Sequence, residues 1–196
     1  MKIKSFLLSA IVLLKISTVH GQGTVDQQAA PPGLGEANLV IQSYSPIGQS
    51  FTPAMNSVEY VALEVGDGNR GNSLGATLYV NLCSGSISGP ILESTTPVSL
   101  PDSSGGLTYF LFPTAVSLTP GTTYYFNVNV QSGDQWLVNG SVTGYTGGTE
   151  FLNGTAFPNN SLWFQEGPVP EPSVGWLALM GGGAFFAWRR WQMKRC

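Results

Sequence analysis

Thr122-Thr123-Tyr124-Tyr125-Phe126-Asn127-Val128-Asn129-Val130 is the stretch that decides the fold. Tyr124, Phe126, Val128 and Val130 alternate with Tyr125, Asn127 and Asn129. A two-residue period puts one set on an apolar face and the other on a polar face, as a half-buried antiparallel strand requires. The same period recurs outward along the chain. In Ser57 to Val65, Val61, Leu63 and Val65 alternate with Ala62 and Glu64; in Ala76 to Leu82, Leu78, Val80 and Leu82 alternate with Thr77, Tyr79 and Asn81. Shorter runs at 39–44, 48–52, 91–95, 107–112, 135–138 and 161–165 fit the scheme, with Gly and Pro punctuating the gaps. No segment between them has a 3.6-residue period. Nine short strands with turn signals predict an all-β antiparallel sandwich or jelly roll spanning residues 39–167. Residues 22–38, polar and rich in Gly and Pro, read as a flexible lead-in.

Charge divides the chain sharply. Between Gln22 and Pro170 stand one basic residue, Arg70, and ten acids, a net charge of −9. Such a surface repels phosphate backbones and excludes nucleic acid as a partner. The other basic residues lie at the two ends: Lys2, Lys4 and Lys15, then Arg189, Arg190, Lys194 and Arg195. Membranes explain that placement. A short positive region, an apolar run from Phe6 to Ile16 and small residues after it make residues 1–21 a signal-peptide helix, with cleavage between Gly21 and Gln22. At the other end Pro170-Glu171-Pro172 forms a stiff spacer. An almost uncharged stretch, 173–188, follows as a transmembrane helix, and Arg189-Arg190 holds the far side in the cytoplasm. Gly181-Gly182-Gly183 in mid-span suits a segment meant to be cut better than a permanent anchor.

These C-terminal parts, taken in order, resemble the PEP-CTERM sorting signal of bacterial envelope proteins. Pro170, Glu171 and Pro172 match the signature tripeptide, Val174 to Trp188 the span, and Arg189 and Arg190 the basic cluster. The resemblance covers residues 168–196. It implies export, recognition by a membrane exosortase, cleavage near the tripeptide, and release to the envelope, cell surface or exterior of bacteria that make exopolysaccharide.

The folded part carries two further resemblances. Leu118-Thr119-Pro120-Gly121-Thr122-Thr123-Tyr124 is similar to the tyrosine corner of Greek-key sandwiches, whose hydroxyl bonds back to upstream backbone. Fibronectin type III domains have a similar string, though this chain is too long for that family and has no early core Trp. Gln49-Ser50-Phe51-Thr52-Pro53, the corner, Trp136, Tyr145-Thr146-Gly147-Gly148 and Ser161-Leu162-Trp163-Phe164 together resemble a sandwich domain of exported, surface-sorted bacterial proteins. That resemblance implies a jelly-roll shape like galactose-binding domains.

Catalytic chemistry has little to work with. The folded part has no His or Lys to activate a Ser or Cys nucleophile. Cys83 reads as a small buried thiol, expected to make no disulfide with Cys196. Zinc lacks ligands. Paired carboxylates could serve a polysaccharide hydrolase, with Glu93, Asp134, Glu150 and Glu166 as the candidates. Calcium would use Asp67 and Asn69 in Gly66-Asp67-Gly68-Asn69-Arg70-Gly71-Asn72, a string that equally makes a long hairpin turn, the reading preferred. No cofactor is otherwise expected. A glycan would stack on Trp136, Tyr145 or Trp163 with Asp134, Asn139 and Glu150 as polar partners, against the alternative that the Trp rings fill the core. The N-x-[ST] sites at Asn139, Asn153 and Asn159 read as turn chemistry. The chain is therefore expected to be a non-enzymatic, exosortase-sorted envelope or matrix protein, structural or adhesive in exopolysaccharide. A glycan-binding module is the alternative and a secreted polysaccharide hydrolase the third reading.

Overall fold

The computed structural model describes residues 24–29, 36–141 and 145–169. Fourteen strands run through them: β1 (Gln27–Gln28), β2 (Glu36–Val40), β3 (Ile47–Phe51), β4 (Ser57–Asp67), β5 (Ala76–Ser84), β6 (Ile91–Ser94) and β7 (Val98–Leu100), then β8 (Gly105–Ser117), β9 (Tyr124–Gly133), β10 (Trp136–Ser141), β11 (Glu150–Leu152), β12 (Thr155–Phe157), β13 (Ser161–Leu162) and β14 (Phe164–Gly167). They form two seven-stranded antiparallel sheets. In the first, β8 lies along one edge of β4, while β14 and β10 share its other edge end to end. β1 extends β14, and β2 and β13 pair with β10. In the second, β12, β11, β3, β9 and β5 follow in order, and β6 and β7 share the outer edge of β5.

One core lies between the sheets. Leu78, Val80 and Leu82 of β5 and Phe126 and Val128 of β9 meet Val61, Leu63 and Val65 of β4, Phe110 of β8, Trp136 and Val138 of β10, and Phe164 of β14. Those of β4, β5 and β9 are positions the two-residue period assigns to the apolar face. β4 shows how the period is reset. Val58 is in the core, yet so are Val61, Leu63 and Val65, three and more residues on. The β4–β8 register shifts between Val58 and Tyr60. That irregularity turns Tyr60, Ala62, Glu64 and Gly66 to the outer face. Opposite it, β8 advances from Leu111 to Val116 without pairing β4, and Pro113 sits in this gap, where no ladder donor is needed.

The tyrosine corner forms. The Tyr124 hydroxyl accepts the Thr119 N–H at 3.0 Å, and the ring packs on the core edge, 6.3 Å from Phe51. Several boundaries depart from expectation. The strand expected over 39–44 is β2, Glu36–Val40, and residues 41–44 turn, with the Tyr44 N–H bonded to the Val40 carbonyl. Residues 22–38 are not all lead-in. Gln27–Gln28 pairs β14 and Glu36–Val40 pairs β10, because both edges offer unused backbone donors and acceptors. β7, β11 and β12, three residues each, were too short to show a period, and 161–165 splits into β13 and β14 around Trp163. Among the described residues no helix is long and apolar enough to cross a membrane. The expected signal peptide and C-terminal span lie outside the described residues.

Space around two strand glycines gives a direct test. A Cβ on Gly48 would run into the Phe126 carbonyl and the Asn127 Cα, whereas one on Gly66 would meet nothing within 4 Å. Gly48→Ala should therefore lower stability by several kcal/mol or prevent folding, while Gly66→Ala should be neutral or gain about 0.5–1 kcal/mol through reduced chain entropy. Urea unfolding monitored by tryptophan fluorescence reads both.

Candidate functional site

The residues proposed for a glycan platform are drawn into the fold instead. Trp136 has 0% exposure and belongs to the core. Its indole has no face left for a sugar. Trp163 is 6% exposed at the point where the chain crosses from β10 to β4, with its backbone N–H donating to the Asn139 carbonyl at 2.9 Å. Tyr145 is half-buried, its ring edge-on to Phe164 at 5.2 Å, and its hydroxyl donates to Gln27 Oε1 at 2.7 Å. None of the three presents a stacking surface, because large rings on or beside inward-facing strands are what fill a sandwich core.

The four candidate carboxylates do not converge either. Glu93 lies on β6 opposite Leu82, and its Oε1 accepts the Ser94 N–H. Asp134 follows Gly133, which pairs Ala76. Six residues of β5 therefore separate them, roughly 20 Å. Glu150 and Glu166 are enclosed, 2% and 0% exposed, one on each sheet. Burial raises the Glu150 carboxyl above its ordinary range, against a bond from Asn160, and its Oε1 has no partner. Glu166 is the more extreme. Both its oxygens lack partners, and desolvation, with the negative charge of Asp26 second, pushes it up to about 8. The Gln27 N–H lies close enough to oppose this without reaching hydrogen-bond geometry. Glu166 is thus a neutral acid at most physiological pH, held in the interior beside Phe164.

The acidic loop is a clamp. Asp67 is 3% exposed; its Oδ1 accepts the Asn69 N–H at 2.8 Å and its Oδ2 the Ser103 N–H at 2.7 Å. Asp102 accepts the Gly71 and Ser73 N–H groups, and Asp134 pairs with the Asn72 side-chain amide. Backbone bonds, from Gly71 and Gln135 respectively, hold the Asp102 and Asp134 carboxyls below their ordinary range. Asp67 and Asn69, the calcium candidates, thus brace a loop, which crosses from β4 in one sheet to β5 in the other instead of closing the expected hairpin. Among the described residues no group of three or more His, Cys, Asp or Glu side chains could hold a metal ion. Cys83 is buried, and burial pushes its thiol up against a weaker opposing contact from the Asn127 amide. Asn153 and Asn159 occupy left-handed turn positions, with φ of +52° and +72°. Asn139 does not: it stands on β10, paired with Asn38.

The sharpest functional signal lies beyond the folded part. β14 ends at Gly167. The Pro168 carbonyl accepts the Thr24 N–H and the Val169 N–H donates to Glu59 Oε2 at 2.8 Å, so the last described residues remain fastened to the sheet. Compared with known protein families, residues 168–190 match the PEP-CTERM protein-sorting motif. The chain carries an exosortase sorting signal. That signal marks an exported protein sorted to the cell envelope or surface, and it begins directly where the sandwich ends. Its Pro170, Glu171, Pro172, Arg189 and Arg190, like Gly21 and Gln22 at the other end, lie outside the described residues. No curated protein matches the chain.

The buried acids make a pH signature. The folded state keeps the Glu166 proton up to about pH 8, whereas an unfolded Glu releases it near about 4.3. Between those values the folded state binds more protons, so stability is complete below about pH 4.3 and declines as pH rises toward about 8. The melting temperature should fall across that window. Glu166→Gln should remove most of the slope and raise stability at pH 8, with Glu150→Gln removing the remainder; an unchanged slope in Glu166→Gln would show that the carboxyl is solvated.

Proposed function

We propose that the chain is a non-enzymatic sandwich delivered by exosortase to the outside of a bacterial cell, where it is a structural or adhesive component of an exopolysaccharide matrix. The observation that carries this reading is the abutment of the sorting motif on the folded domain, with Val169, the last described residue, bonded to Glu59 and the Pro-Glu-Pro tripeptide next in the sequence. Pro170 and Pro172 carry no backbone N–H with which to extend a sheet ladder. Arg189 and Arg190 hold the far end of the 173–188 span on the cytoplasmic side until cleavage. The lack of convergence among Glu93, Asp134, Glu150 and Glu166 supports a non-catalytic role over a hydrolase. A net charge of −9 between the two ends suits a protein that stays dispersed in a hydrated matrix.

Processing tests it. The intact mass of the exported protein should lack residues 1–21 and everything beyond the tripeptide region. Glu171→Gln should leave the melting temperature unchanged while unprocessed chain accumulates in the inner membrane, and replacing both arginines with Glu should disturb orientation. Exported material that retains Trp176 to Cys196 overturns the sorted, released form in favour of a permanently anchored protein.

A further inference from the structure

The outer face of the β4 sheet carries a groove that, of the anticipated site residues, only Asp67 and Asn139 line. β4 and β10 are paired at Val65 and Val138 and then separate, with the chain around Trp163 entering the fork. Over this fork lies a cavity of about 290 Å³. Its lining comes from Gly105 and Gly106 of β8, Glu64 of β4, Leu137 and Asn139 of β10 and Asn38 of β2, on four neighbouring strands. Three strand spacings make it about 14 Å across. Its floor is Gly66, with Gly105 and Gly106 beside it, so backbone is exposed where side chains would otherwise fill the space. Arg70, the sole basic residue among those described, reaches in from the clamped loop, its guanidinium 3.8 Å from where a Cβ on Gly105 would stand.

Two residues along the strands the next outward row is Tyr109, Ala62, Gln165 and Gln28, with Gln165 Nε2 donating to Gln28 Oε1 at 3.4 Å. Tyr109 is 37% exposed, and its ring is braced by Tyr60 at 5.5 Å. An exposed ring thus borders a polar trough whose amides and carboxylate can both accept hydrogen bonds and whose amides and guanidinium can both donate them. A chain of vicinal hydroxyls, each a donor and an acceptor, is the complement of that set, and an aromatic face beside it packs the apolar side of a sugar ring. The surrounding excess of acids disfavours a polyanion.

We propose that this groove binds a neutral, hydroxyl-rich polysaccharide, with Glu64, Arg70, Asn38 and Asn139 as its polar contacts and Tyr109 as its stacking surface. The proposal rests on the reading that the domain is displayed in an exopolysaccharide matrix, and it names the ligand class and the surface for that reading. The groove is open and shallow, so it holds one or two rings of a long polymer rather than enclosing a small molecule.

Gly66 offers a clean block, because it lines the groove and a Cβ there meets no protein atom within 4 Å. The experiment is native affinity electrophoresis of the full-length chain, in a detergent without a sugar headgroup, through gels containing dextran, galactomannan, hydroxyethylcellulose or alginate. Retardation is expected in at least one of the three neutral gels and not in alginate alone. Gly66→Leu, Tyr109→Ala and Glu64→Gln should each weaken it on the order of tenfold or more, with melting temperatures close to wild type. Tyr125→Ala, on the far face of the other sheet, should leave it unchanged. Undiminished retardation in Gly66→Leu and Tyr109→Ala, or no retardation in any neutral gel, overturns the groove; retardation in alginate alone overturns the neutral ligand. The sorting reading is scored separately, by the mass of the exported protein, so either can fail without the other.

Discussion

Strand β4 is the constraint on which the structure depends. Its eleven residues, Ser57–Asp67, pair with β8 along one edge and with β14 and β10 in succession along the other. Three partners can share one strand only if its face assignment is correct over its whole length. The register shift near Glu59 supplies that, sending Val61, Leu63 and Val65 inward and Glu64 and Gly66 outward. The inner row anchors the core. The outer row makes the floor and one wall of the groove. Even the exit of the chain is tied to this strand, since Glu59 at the irregularity accepts the Val169 N–H.

The interior tolerates polar groups where a partner exists and marks those where it does not. Gln49 is fully buried, but its Oε1 accepts the Leu162 N–H and its Nε2 donates to the Ser50 carbonyl. Asn127, 7% exposed, donates to the Ile87 carbonyl and accepts from Asn81 and Asn129. Such networks stabilise because every member is satisfied. Glu166 departs from the rule. An unpartnered carboxyl in a sheet interior stays protonated, since ionisation without solvent or a counter-charge costs far more than keeping the proton. Its nearest charge influence is Asp26, which is of the same sign.

Much of the fold was legible in one dimension. The alternation in 122–130, 57–65 and 76–82 identified the strands, the inward sets and the two-sheet architecture, because a strand with one buried face must repeat every two residues. The tyrosine corner was legible for a similar reason: Leu118, Pro120, Gly121 and Tyr124 specify a local backbone path. Very short edge strands such as Gln27–Gln28 and Thr155–Phe157 were not, since their place comes from a neighbour's free hydrogen-bonding edge rather than from their own pattern. The candidate site was the least legible part. Trp136 and Trp163 drew attention by residue type, and both proved interior, while Tyr109 and Leu107 are exposed on β8.

The sequence by itself determined the strand periodicity, the acidic middle, and the sorting signal, whose Pro-Glu-Pro, apolar span and arginines act in linear order and need no fold to be recognised. Only the tertiary structure decided which outward residues become neighbours. Glu64, Asn139 and Asn38 lie far apart in the chain, and they share a groove because β4 and β10 diverge at Val65 and Val138 and admit the strand around Trp163. Local pattern specifies which face a side chain takes. Which strands lie side by side, and where they part, is settled by long-range pairing and by the volume of the rings between the sheets.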